Sequence, residues 1–82
     1  MQTTYHSVQA PVERREDRLV LRIPMDAGGD KLQLVARASS FVEGDDLVVL
    51  LPEWLAQRMR LAEGSEVHLD DRWGKLNIAR VN

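Results

Sequence analysis

The chain has 82 residues, 44% of them hydrophobic and 29% charged, with a formal net charge of −2 and no cysteine. That length makes one small domain burying only about 60% of its unfolded surface, and disulfides or thiolate metal sites are excluded as added support. Oligomerisation remains as the usual device at this size, and the global charge lacks the basic excess of a dedicated nucleic-acid binder.

The charge is uneven: residues 1–40 carry +1 and residues 41–82 carry −3. The longest wholly apolar run, residues 47–51, is far too short to cross a bilayer. Residues 1–10 are polar and lack the apolar core of a secretion signal, so the expectation is a cytoplasmic protein with no membrane partner.

In chain order, residues 1–17 lack a clear period and are expected to form a mobile arm. Leu19, Leu21 and Ile23 then alternate with Arg18, Val20 and Arg22, a period of two that predicts a half-buried strand. Pro24 stops it, and Asp26, Gly28, Gly29 and Asp30 supply a turn. Leu32, Leu34, Ala36 and Ala38 alternate with Lys31, Gln33, Val35 and Arg37, so residues 18–40 are expected to form an N-terminal β-hairpin. Glu43, Gly44, Asp45 and Asp46 make a second turn before the apolar residues 47–51, a strand expected to be covered on both faces.

Pro52 suits the first turn of a helix over residues 53–61, with Leu55 and Met59 inward. Glu63 and Gly64 close that helix, and residues 66–70 and 75–81 form a further hairpin about Val67, Leu69, Leu76 and Ile78. Residues 19–24 and 47–52 echo each other at an offset of 28, each an apolar strand ending in proline. Such strands are common, and the echo reads as accidental.

The order strand, proline, helix, glycine, hairpin resembles the AbrB/MazE group of bacterial transition-state regulators and antitoxins. The matching frame runs from Gly44 through Pro52, Leu55, Met59 and Leu61 to Glu63, Gly64, Ser65, Glu66 and Val67, then Gly74, Lys75, Leu76, Asn77 and Ile78. The resemblance implies a mostly β, swapped-hairpin barrel over residues 41–82, with one short helix, two interlocked chains and the hairpin of residues 18–40 as an extra. It also implies operator DNA as a ligand, or a toxin or other protein as a partner.

Two features depart from the family. The turn that carries basic residues there is acidic here, at Glu43, Asp45 and Asp46, and would repel phosphates. The toxin-wrapping tail of such antitoxins has no counterpart after the last strand, so any partner-binding segment is expected to be N-terminal. Phosphate contacts would therefore fall to Arg14, Arg15, Arg18, Arg22 and Arg37, unless these are simply a solvated face.

No pattern supports catalysis or a cofactor. His6 and His68 are isolated, Asp70 and Asp71 point to opposite faces, and Gly28-Gly29 lacks the setting of a phosphate loop. Trp54 is expected to be half buried, and Trp73, at a hairpin tip, to anchor an interface together with Phe41 and Val42. Two non-enzymatic functions fit: a dimeric DNA-binding regulator or antitoxin-like protein, or a protein-interaction module that kept the dimeric barrel and lost the basic face.

Overall fold

The computed structural model describes residues 4–81. Strands β1 (Ser7–Arg15) and β2 (Arg18–Pro24) lead into helix α1 (Gly29–Gln33); β3 (Ser40–Glu43) and β4 (Asp46–Leu51) lead into helix α2 (Glu53–Met59). Strands β5 (Glu66–Asp70) and β6 (Asn77–Arg80) complete one antiparallel sheet of order β3-β4-β2-β1-β5-β6.

Leu21, Ile23, Leu47, Val49, Val67 and Leu69 line one face of the sheet and are almost wholly buried. Leu32 of α1, Ala56 of α2 and Leu61 cover them, with Leu55 and Met59 packed at the margin. Alternation puts charged residues on the other face, yet Val20 and Val48 are buried there too. The register sets them among Glu13, Arg22, Phe41 and Leu50, whose long side chains shield them.

The mobile arm expected over residues 1–17 is corrected for its described part: Ser7–Arg15 is a central strand, while residues 1–3 lie outside the described residues. Val8, Ala10 and Val12 alternate inward, a signal masked by Pro11. That proline stands where pairing passes from β5 (Pro11 opposite Glu66) to β2 (Val12 opposite Leu21), so it interrupts neither ladder.

The second strand of the expected N-terminal hairpin is also corrected. Residues 31–33 end α1, a 3-10 turn follows at Arg37–Ser39, and β2 takes β1 and β4 as neighbours instead. Leu32 and Ala36 are buried while Leu34 is 63% exposed. A spacing of four fits a helical turn as well as it fits a strand, and Lys, Leu, Gln, Ala and Arg favour the helix.

Glycine makes that turn possible. Gly28 has φ +106, and a Cβ on Gly29 would stand 2.8 Å from the Pro24 carbonyl oxygen and 2.9 Å from that of Ile23. The chain doubles back against its own strand end, where only glycine fits.

The apolar residues 47–51 find their cover within the same chain. β2 and β3 flank β4, and Leu47, Val48 and Val49 are fully buried without a second chain.

Candidate functional site

The outer face carries an ion-pair network built from two hairpin ends. Arg15 closes β1, and its Nη2 donates to Glu43 Oε1 at 2.6 Å and Oε2 at 2.5 Å. Arg22 on β2 donates through Nη2 to Glu43 at 2.9 Å and through Nη1 to Asp46 at 3.0 Å, with Glu13 at 3.9 Å. Strand pairing brings these residues together: Arg22 lies opposite Val48, two residues along the same strand face from Asp46, and Glu43 lies opposite Asp46.

The hydrogen bonds from Arg15 and Arg22 hold the Glu43 carboxyl below the usual carboxylate range. Hydrogen bonds to Asp46 and then Glu43 likewise raise the Arg22 guanidinium. The acidic turn, read from the sequence as a repulsive element facing a ligand, is thus engaged by two of the arginines assigned to DNA.

The remaining arginines do not share one place. Arg14 and Arg18 line a shallow cleft of about 810 Å³ with Arg60, Asp17, Glu53 and Gln57. Arg14 reaches Glu63 at 3.7 Å, whereas Arg18 and Arg37 are exposed and have no salt bridge among the described residues. Alternation separates Arg14, opposite Leu19 on the core side, from Arg15 and Arg18 on the outer side. Arg60 is a member the sequence reading missed: it ends α2 with a left-handed backbone, φ 56, which turns it toward the cleft.

The apolar anchors are also divided. Phe41 and Val42 are exposed on edge strand β3, but β3 and the β5–β6 end that carries Trp73 terminate opposite sides of the sheet order. The expected shared face of Phe41, Val42 and Trp73 is therefore not formed. Phe41 lies opposite Val48 and Val42 opposite Leu47, so even these neighbours point to different faces. Trp54, expected half buried, is 65% exposed because Ala56 takes the inward position on α2.

Trp73 sits in a compact cluster that needed the fold to assemble. It is 75% exposed with a left-handed backbone, φ 63. The Arg72 guanidinium lies 4.0 Å from the Tyr5 ring centroid and 5.5 Å from that of Trp73. Asp70 and Asp71 build its base: Asp70 accepts from Asn77 Nδ2 at 2.8 Å and from the Arg72 backbone N–H at 3.1 Å. Burial opposes the charged form of Asp70, but those hydrogen bonds outweigh it and hold the carboxyl low. Asp71 accepts the His6 backbone N–H at 2.7 Å and contacts its ring Nδ1 at 3.0 Å; the backbone bond chiefly keeps it below the usual range.

Among the described residues no group of three or more His, Cys, Asp or Glu side chains is placed to hold a metal ion. No helix among those residues is long and apolar enough to cross a membrane. Comparison with protein-family models, with curated proteins and with solved structures returned no match.

Proposed function

We propose that this chain is a non-catalytic protein-interaction module whose basic surface is spent internally. The carrying observation is the Arg15–Glu43–Arg22–Asp46 network, which engages two of the five arginines that a phosphate backbone would call on. A DNA ligand would have to break charge-assisted hydrogen bonds already made at good distance. The exposed Trp73, stacked beside Arg72 and Tyr5, supplies the residue types that dominate protein–protein hot spots.

A second reading, a DNA-binding regulator or antitoxin-like protein, is favoured by one observation: Arg14, Arg18 and Arg60 border the same cleft. Fluorescence anisotropy with random duplexes separates the two. The interaction reading expects no binding at low salt up to about 100 µM protein, the weak end of non-specific DNA affinity. Binding that steepens with falling salt and is lost in Arg18→Ala, Arg60→Ala would replace it with the DNA reading.

A further inference from the structure

The echo of residues 19–24 in residues 47–52 has a structural counterpart much longer than itself. Leu21 lies opposite Val49, Leu19 opposite Leu51 and Ile23 opposite Leu47. Each pair is returned by adding 28 to one member and taking 28 from the other, so the β2–β4 ladder has a two-fold axis through Leu21 and Val49. The flanking ladders obey the same offset. Val12–Arg15 pairs with Arg18–Leu21 as Ser40–Glu43 pairs with Asp46–Val49.

The turns agree as well. Glu16 has φ 60 and Gly44, 28 residues on, has φ 61; each is the first central residue of a two-residue turn. Positive φ there is the position at which such hairpins place glycine, so an unlike residue has been held to one backbone shape. Val20 and Val48 are both buried on the outer face, and Pro24 and Pro52 both end a strand before helical turns. A chance echo of apolar strands would not also reproduce the register, the turn geometry and the outward burial.

We propose that residues 12–24 and 40–52 are two copies of one hairpin-and-proline unit, packed as an internal two-fold pair. The second unit takes the place that a second chain would hold, so the protein folds and functions as a single chain. The copies differ chiefly in charge: Arg15, Arg18 and Arg22 of the first unit correspond to Glu43, Asp46 and Leu50 of the second. Two halves of opposite charge attract across the axis, as the Arg15–Glu43 bond does, whereas identical halves bearing either set would repel. The pair also departs from symmetry at one contact. The Met25 N–H donates to the Asp45 carbonyl at 2.9 Å, while the equivalent Glu53 and Asp17 line the open cleft.

Two measurements on the whole chain test this, independently of what the module binds. Sedimentation equilibrium from micromolar to near-millimolar concentration should give one species of 9.3 kDa, with a Tm that does not move with concentration. A species of twice that mass whose Tm rises with concentration overturns the single-chain claim. Glu16→Gly, which gives the first turn the central residues of the second, should raise Tm by a few degrees without changing the mass. A fall in Tm would show that position 16 does not need the backbone of Gly44, and overturns the equivalence of the units.

Discussion

Arg15 and Glu43 occupy the same position in successive hairpins and bond to each other across the outer face, Nη2 to Oε1 at 2.6 Å. The bond ties the end of β1 to the far edge of the sheet, with β2 and β4 lying between them. It joins the region the sequence marked as basic to the one it marked as acidic.

The acid response of the protein follows from that bond. Arg15 and Arg22 lower the Glu43 carboxyl, and the His6 backbone N–H lowers that of Asp71. A depressed carboxyl stabilises the fold above its unfolded range, and that contribution is lost as pH falls through the lowered folded value. Thermal melts from about pH 7 to about pH 2 should show Tm falling, with a shallower fall in Glu43→Gln because one such group is absent. An identical profile in parent and variant would remove Glu43 from the stability balance.

Under the DNA-binding reading, the same network would hold affinity down. Glu43→Gln with Asp46→Asn removes the two carboxylates that accept hydrogen bonds from Arg22 and leaves the longer Glu13 contact at 3.9 Å. In an anisotropy titration at low salt this variant should bind duplex DNA more tightly than the parent. Equal, absent binding by both would mean that freeing the arginines is not enough.

Leu32 and Leu34 divide a helix from a strand at residues 31–38. Leu32 is fully buried against the sheet and Leu34 is 63% exposed. Leu32→Ala should cost about 2–5 kcal/mol in urea unfolding, whereas Leu34→Ala should stay within about 0.5 kcal/mol. Equal losses at both sites would restore the strand that alternation suggests.

Gly29 is irreplaceable for a different reason. A Cβ there would press on two backbone carbonyls, neither of which can swing aside as a side-chain tip would. Gly29→Ala should therefore destabilise by about 1–3 kcal/mol, the cost of forced overpacking, even though alanine favours helices. A gain in Tm would show that the chain does not double back so closely after Pro24.

Trp73 separates stability from recognition. Glycine accepts φ 63 more readily than tryptophan, and the exposed stack on Arg72 is worth about 0.5–1 kcal/mol, so Trp73→Gly should leave Tm nearly unchanged. Under the interaction reading, the same variant should lose a protein that the parent captures in a pull-down quantified by mass spectrometry. A captured set identical to the parent's would exclude Trp73 as an anchor.

Local signals by themselves determined much of this protein. The alternation of Leu19, Leu21 and Ile23, the helix after Pro52, the hairpin around Val67 and Leu69 and the exposed Trp73 are all legible one segment at a time. Periodicity and turn chemistry act within a few residues, so they survive without knowledge of neighbours. The tertiary structure decided what those signals leave open. It made β1 a central strand despite Pro11, with β5 on one side pairing up to that residue and β2 on the other pairing after it. It placed Leu32 in a helix and Ala36 in the turn after it, both buried, although their spacing of four also suits a strand. It brought Arg15 and Arg22 onto Glu43, and Tyr5 onto Arg72. Contacts between residues 21 to 67 positions apart depend on strand order, and no local pattern encodes which strand lies beside which.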